Sequence, residues 1–292
     1  MAADRALQHR AEELAATLPP LLVAAERVAS TVSQGVHGRR RVGQGETFWQ
    51  FRQYDRGDQP QSIDWRQSAK SDRVYVRELE WEAAQSVWLW RDASPSMGWN
   101  STSSLPEKRE VAELLLIALA ALLQRAGEQV ALIGSDERPS RGRLSLMRLA
   151  DSLERNRDGA ALPPRLPLPR HAQVVMFGDF LVPLEEIDAS LRAYAARGVQ
   201  GQVVQVLDPA EETLPYRGRV RFEGLEQEEP WLLSRVETTR AAYAERLAAQ
   251  RAGLAAIAGS VGWGFIQHRS DRPPQTALLA LYGALARDPR GF

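Results

Sequence analysis

The chain has 292 residues, of which 44% are hydrophobic and 25% charged, a composition typical of a globular protein with one or two domains. Its 37 basic and 37 acidic residues cancel, which argues against the electropositive surface that general nucleic-acid binding requires. The absence of cysteine excludes disulfides, thiol catalysis, iron–sulfur clusters and zinc sites built on thiolates.

The N-terminal region is charged throughout, which is not the pattern of a signal peptide, and no apolar run approaches the ~20 residues of a membrane span. We therefore expect a cytoplasmic protein without a membrane span. Leucines at helical spacing predict one or two helices over residues 4–30, interrupted at Pro19-Pro20. The basic, glycine-containing segment 35–45 could contact phosphates, but a solvated loop is the simpler interpretation.

Residues 46–84 are irregular and rich in aromatic side chains. Six of the eight tryptophans lie between positions 49 and 99, and residues 73–79 alternate as a strand does. The tryptophans could form a binding surface, or they could fill the thin core of a small β-rich module, and we favour the second interpretation. Together with the N-terminal helices, these residues form a predicted module over 1–84.

From residue 85 onward, strands and helices alternate. Such alternation predicts an α/β domain over 85–292, with a doubly wound, mainly parallel sheet covered by helices on both faces. An extended, proline-rich connector is expected at 162–169 and a hairpin around 217–222. The predicted strands are 87–90, 129–134, 174–177, 202–207 and 262–266, and the predicted helices are 106–126, 144–154, 184–197, 233–258 and 274–286.

Oxygen-bearing side chains follow two of the predicted strands. Asp92, Ser94 and Ser96 come directly after the first strand, and Asp179 comes directly after the strand at 174–177. If the two strands are neighbours, their carboxyl ends bring all four side chains to one edge of the sheet, where ligands of open α/β folds collect. Carboxylates and hydroxyls are hard ligands that suit Mg²⁺, Mn²⁺ or Ca²⁺ rather than zinc.

Other interpretations of the same residues stay open. Ser94 or Ser96 could cap the turn that follows, and Asp179 could form a structural ion pair with Arg91 or another nearby arginine. A phosphohydrolase that used Asp92 as nucleophile would require a second acid two residues later, and that position holds Ser94. We therefore do not expect an enzyme, and we identify no catalytic residue.

The pattern Asp92-x-Ser94-x-Ser96 after a buried strand resembles the metal-ion-dependent adhesion signature of von Willebrand factor A domains. More specifically, the chain resembles the DUF58 family, which places such a domain behind a distinctive N-terminal module. The matching segments are Phe51-Arg52-Gln53-Tyr54, Gly57-Asp58, Ile63-Asp64-Trp65, Ala69-Lys70, Val76-Arg77-Glu78 and Leu207-Asp208-Pro209-Ala210-Glu211.

The resemblance implies a Rossmann-like, von Willebrand factor A-like sheet and a role for each site residue. Ser94 and Ser96 would ligate the metal through their hydroxyls, and Asp92 and Asp179 would act through bound water. The adhesion signature also includes a threonine, yet no threonine lies between Thr102 and Thr213. The candidate substitutes are Ser135, Ser140 and Ser145.

The resemblance also implies a non-enzymatic adaptor or co-chaperone that acts with a MoxR-type AAA+ ATPase on a client protein. The chain has no glycine-rich phosphate loop, so ATP hydrolysis would come from the partner. The alternatives are a metal-free interaction scaffold with a vestigial site and a Mg²⁺-dependent phosphohydrolase.

Overall fold

The computed structural model describes residues 25, 28–29, 42–54, 63–70, 73–80, 86–157, 159–170, 172–226 and 229–286, excluding the side chains of 42–52 and 77–80. Contacts divide the chain into two units, His37–Gln85 and the combination of Met1–Val36 with Ser86–Phe292. The sequence-based division after residue 84 differs in its placement of Met1–Val36. Of that segment the structure describes Ala25, Val28 and Ala29, which are helical and belong to the core of the α/β unit.

Several sequence predictions fall largely on residues outside the described ranges. These are the rest of the helices at 4–30, the basic segment 35–45 apart from the backbone of 42–45, and the Gly57-Asp58 pair.

The smaller unit contains two antiparallel strands and one short helix. These are β1 (Val42–Gln53), α1 (Trp65–Ser68) and β2 (Tyr75–Glu80). Asp64 caps α1 by accepting a hydrogen bond from the Gln67 backbone at 2.8 Å. The prediction that the indoles of this unit fill its core is wrong for Trp65, whose side chain is 69% exposed.

The larger unit alternates strands and helices along the chain. Its elements are β3 (Ser86–Arg91), α2 (Lys108–Arg125), β4 (Gln129–Leu132), α3 (Arg143–Arg155), β5 (Gln173–Gly178), α4 (Leu184–Ala195), β6 (Gln200–Leu207), α5 (Pro209–Thr213), β7 (Val220–Phe222), β8 (Trp231–Leu233), α6 (Arg240–Ser260), β9 (Gly264–Arg269) and α7 (Pro274–Ala286). The predicted connector at 162–169 contains neither helix nor strand, and a hydrogen bond from the Leu166 backbone to the Pro164 carbonyl turns the chain within it. Within the described parts of the chain, no helix combines the length and apolarity that crossing a bilayer requires.

Five strands form one sheet in the order β4-β3-β5-β6-β9, and every neighbouring pair is parallel. Counted within the sheet alone, this is the doubly wound order 2-1-3-4-5. One apolar core packs α2, α3 and α7 against the sheet, and a second packs α4 and α6 against its other face. The predicted fold class is therefore confirmed.

The buried position of helix α2 explains why its sequence is almost entirely apolar. Its residues from Leu115 to Leu123 are all buried, because the helix lies between the sheet, α3 and α7. A capping box between Glu107 and Glu110 satisfies its first backbone groups. The helix begins at Lys108, two residues after the predicted start, and ends at Arg125, one residue before the predicted end.

The predicted helix over 233–258 is wrong in its first turns. Trp231–Leu233 pair with Val220–Phe222 as a two-stranded antiparallel ribbon, and α6 begins only at Arg240. Tertiary pairing prevails here over a helical pattern that looked continuous in the sequence. Val236, which lies within the predicted helix, is instead fully buried in a separate 3₁₀ turn.

The packing of α2 leads to a test of the core. Leu119→Ala should lower the free energy of unfolding by about 2–5 kcal/mol, because Leu119 is fully buried between sheet and helices. Urea denaturation measures the loss. The matched control is Leu279→Ala in α7, where the side chain is 50% exposed and the cost should stay below about 1 kcal/mol. Equal losses in the two variants would contradict the described core.

Candidate functional site

The site lies where the order of the sheet reverses. β3 and β5 are adjacent parallel strands, and the chain leaves them toward helices on opposite faces, which opens a crevice at their carboxyl ends. Asp92 follows β3 and Asp179 follows β5. The Asp92 backbone N–H still donates to the Phe177 carbonyl at 2.8 Å, so this acid sits at the last rung of the parallel pair.

Hydrogen bonds and one close oxygen–oxygen contact join the four residues predicted from the sequence. The Ser94 hydroxyl donates to Asp92 Oδ1 at 2.5 Å, and the Ser94 backbone N–H donates to the same oxygen at 2.8 Å. Ser94 Oγ and Ser96 Oγ are 3.0 Å apart, and the Ser96 hydroxyl donates to Asp179 Oδ2 at 2.8 Å. The structure therefore brings Asp92, Ser94, Ser96 and Asp179 together at one edge.

Asp92 is unusual because it is fully buried and only half satisfied. Its Oδ2 atom has no hydrogen-bond partner among the described residues. Burial, followed by repulsion from Asp179, raises the pKa of Asp92 to about 6. A buried carboxylate oxygen without a partner is an open position for a proton, a water molecule or a cation.

Gly178 allows the two strand ends to approach this closely. A Cβ atom at position 178 would lie 2.8 Å from Asp92 Cβ and 3.1 Å from Asp92 Oδ2. Any larger residue at the end of β5 would therefore displace the acid that follows β3.

The loop that carries Asp179 is held by residues that sequence reasoning missed. Phe180, which directly follows Asp179, is fully buried and has a φ of 49°. This left-handed backbone conformation is uncommon for a bulky residue. The Gln205 side chain donates to the Asp179 carbonyl at 2.9 Å. The Gln250 side chain donates to the Phe180 and Val182 carbonyls at 3.0 and 2.9 Å.

Lys108, which the sequence analysis did not single out, completes the site. Its ammonium group donates to Asp179 Oδ2 at 2.9 Å and to Glu211 Oε1 at 2.5 Å, and the lysine side chain is only 1% exposed. Burial alone would lower the pKa of Lys108, but the attraction of Asp179 and Glu211 outweighs it and raises that pKa. The lysine is therefore a fixed positive charge.

Glu211 is positioned by the element that follows β6. Asp208 caps α5 by accepting from the Ala210 backbone at 2.7 Å, and Glu211 Oε2 accepts from the Asp208 backbone at 2.8 Å. The second Asp208 oxygen accepts from the Ser101 backbone at 3.0 Å, which ties this helix start to the loop after β3. The sequence signal that could have identified this region is Asp208, an acid that directly follows the strand β6.

Arg91 and Ser94 do not make the contacts that their alternative roles require. Arg91 pairs with Glu113 at 3.3 Å rather than with Asp179, so that predicted ion pair is wrong. Ser94 precedes the 3₁₀ turn Pro95–Met97, but its side chain makes no capping hydrogen bond.

The predicted substitutes for the missing threonine bond elsewhere. The Ser135 hydroxyl donates to the Leu132 carbonyl at 2.9 Å, and Ser140 and Ser145 bond to each other at 3.0 Å. None of the three has a hydrogen bond to Asp92 or Asp179 among the described contacts.

The donor set fits a hard divalent cation. Two hydroxyls, the partnerless Oδ2 of Asp92 and the carboxylate of Asp179 are oxygen donors of the kind that Mg²⁺, Mn²⁺ and Ca²⁺ accept. Among the described residues, no three acidic or histidine side chains form a metal-ligand group. Serine hydroxyls would therefore have to supply part of the ligand shell, which fits weak and exchangeable binding.

Comparison with known families gives a clear result. The model of the family described as "Protein of unknown function DUF58" matches residues 50–253, more than half of the chain. The chain belongs to the DUF58 family. It is also similar to uncharacterized proteins of Mycobacterium bovis and Mycobacterium tuberculosis, with 28% identity over 276 residues that cover 89% of this chain and 86% of each relative.

Two solved structures resemble the DUF58 chain at low identity. One is an aerotolerance-related membrane protein from Bacteroides fragilis, with 17% identity, a TM-score of 0.45 and coverage of 69% of this chain and 98% of that one. The other is BatB, a conserved hypothetical protein from Bacteroides thetaiotaomicron, with 16% identity, a TM-score of 0.42 and coverage of 70% and 100%.

The raised pKa of Asp92 leads to a prediction about stability. Ionising Asp92 costs folding free energy above pH 6, and the cost disappears below its ordinary value of 3.8. Asp92→Asn should therefore stabilise the metal-free protein at pH 7 by up to about 3 kcal/mol, with the gain shrinking as the pH falls from 6 to 4. Urea denaturation in EDTA at several pH values measures it.

The control is Asp188→Asn, which removes a surface carboxylate paired with Arg192 at 2.7 Å and should change stability by less than about 0.5 kcal/mol. A loss of stability in Asp92→Asn that does not vary with pH would contradict the burial described for this acid.

Proposed function

We propose that this DUF58 protein is a non-enzymatic protein-binding adaptor with a von Willebrand factor A-like domain. Its binding surface is the edge formed by Asp92, Ser94, Ser96 and Asp179. A divalent cation, Mg²⁺ or alternatively Mn²⁺ or Ca²⁺, would be held by the two serine hydroxyls, with the two carboxylates around it. When bound, such an ion supplies an open position for an acidic side chain of a partner protein.

One observation carries this proposal. The four oxygen-bearing residues come together at the switch point, although Asp92 and Asp179 are 87 positions apart in the sequence. Each serine hydroxyl donates to one of the two aspartates, and the two hydroxyl oxygens are 3.0 Å apart. Ser96 is the partly exposed member of this group, whereas Asp92 and Ser94 are buried. The accessible group is thus a hydroxyl suited to ligation, and the carboxylate that a phosphohydrolase would use as nucleophile is inaccessible.

The AAA+ partner follows from the family resemblance. We propose that a MoxR-type AAA+ ATPase binds the adaptor and supplies ATP hydrolysis, with a client protein as the third component. The adaptor's own sequence has no glycine-rich phosphate loop with which to hydrolyse ATP. Action beside such an ATPase places the proposed site of function in the cytoplasm.

A second candidate is an interaction scaffold that works without metal. The contact that favours it is the 2.9 Å hydrogen bond from the Lys108 ammonium to Asp179, because a cation belonging to the protein already neutralises this carboxylate. The scaffold would use the same edge, but its binding would not respond to chelators.

An affinity capture experiment distinguishes the two candidates. Immobilised protein should retain a MoxR-type AAA+ ATPase from the native cell extract in Mg²⁺, and EDTA should reduce retention at least about tenfold. Ser96→Ala should reduce it similarly, since it removes a ligand and the link between Asp179 and Ser94. Ser103→Ala, an exposed serine of the next loop, is the matched control and should retain the wild-type amount.

Retention that is insensitive to EDTA but lost in Ser96→Ala would favour the metal-free scaffold. Retention that neither EDTA nor Ser96→Ala changes would show that this edge is not the binding surface. No retained ATPase in any condition would overturn the proposed partnership.

A further inference from the structure

We infer that Lys108 is a resident cation of this edge, which competes with the divalent ion for Asp179 and so lowers the affinity of the site for metal. The inference rests on the proposed metal-dependent function and specifies how that site is regulated. It concerns a residue outside the Asp-x-Ser-x-Ser pattern, identified by its contacts alone.

The competition centres on one oxygen atom. Asp179 Oδ2 accepts from the Ser96 hydroxyl at 2.8 Å and from the Lys108 ammonium at 2.9 Å. Asp179 Oδ1 accepts from the Leu181 backbone at 3.2 Å. Both oxygens of the acid are therefore engaged, and a cation that enters beside Ser96 must share Asp179 with an ammonium that it repels.

The position of Lys108 in its helix argues that the lysine serves this cluster. It is the first residue of α2, where the helix dipole disfavours a positive charge. It is also 1% exposed, so its charge is sheltered from solvent screening. Two carboxylates, Asp179 and Glu211, offset these costs.

The choice of lysine is itself informative. Of the 37 basic residues only two, Lys70 and Lys108, are lysines, and all the others are arginines. A compact ammonium can donate to two carboxylates in a space that a planar guanidinium would not fill in the same way. In an arginine-rich chain, a buried lysine at this point fits a requirement for a small, fixed cation.

The consequence is a site with two alternative occupants. With Lys108 on Asp179, the edge is neutralised and its carboxylates stay in place without metal. A divalent ion would weaken the contact between Lys108 and Asp179 and leave the ammonium with Glu211 at the start of α5. Occupancy of the edge is thereby coupled to the helix that follows β6.

The test compares metal affinity in two variants with that of the wild-type full chain. Lys108→Met removes the ammonium and should tighten Mn²⁺ binding, measured by isothermal titration calorimetry, at least about tenfold. Because this variant leaves two buried carboxylates unpaired and could lose its fold, a second variant combines Lys108→Met with Glu211→Gln. Circular dichroism and thermal melting establish that each variant is folded before titration.

The double variant also separates direct competition from net charge. The formal charge of the cluster is −2 in the wild type, from the three acids Asp92, Asp179 and Glu211 and the one cation Lys108. It is also −2 in the double variant, in which only Asp92 and Asp179 are charged. Simple net charge therefore predicts wild-type affinity for the double variant. Direct competition predicts binding at least about fivefold tighter than wild type, because Asp179 is released.

Each result has a defined meaning. Tighter Mn²⁺ binding in both variants than in the wild type supports the inference. It is also supported if the wild-type protein shows no heat of binding and only the two variants bind Mn²⁺. That second result would count against a metal ion in the native function. Measurable wild-type binding that is unchanged or weaker in the double variant overturns the inference and leaves the proposed function intact. No Mn²⁺ binding by any of the three proteins overturns both.

Discussion

The buried contact between Lys108 and Asp179 is the interaction on which the candidate site depends. Asp179 stands at the end of a central strand with 2% of its surface exposed, and its charge would be costly there without a nearby cation. The lysine that supplies the charge comes from the first turn of a helix, and Glu211 on a third element shares it. Three segments that are distant in sequence are thereby fixed around one charge cluster.

The parallel sheet makes this convergence possible. Because every strand in the order β4-β3-β5-β6-β9 runs in the same direction, the carboxyl ends of β3, β5 and β6 open on the same edge. Each of these strands is followed by an aspartate, at positions 92, 179 and 208. Two of these acids accept from the serine hydroxyls, and the third caps α5 and so places Glu211 within reach of Lys108.

The sequence was sufficient for the periodic elements and for the hydroxyl-bearing strand end. Buried strands such as β3 and the apolar helix α2 can be predicted from their composition. The position of an acid after a strand of a parallel sheet can be predicted from the topology. The sequence was insufficient where contacts between distant residues determine the local structure or the role of a side chain. The predicted helix over 233–258 began at Leu233, which in fact ends a strand, because the pairing of Trp231–Leu233 with Val220–Phe222 is nonlocal. Lys108 looked like an ordinary helix-start residue, since nothing local reveals two carboxylates 71 and 103 positions away.

Helix α2 has a further consequence, which concerns motion. From Leu115 to Leu123 the helix is enclosed by apolar side chains, so a shift along its axis would break contacts with the sheet and with two helices at once. The ammonium at its N-terminus is therefore attached to a closely packed part of the unit. Two residues beside the edge have left-handed backbone, Phe180 in the loop after β5 and Leu214 directly after α5. The packed core thus fixes the position of the Lys108 ammonium relative to the sheet, and the two carboxylates that receive it lie on separate elements beside this fixed point.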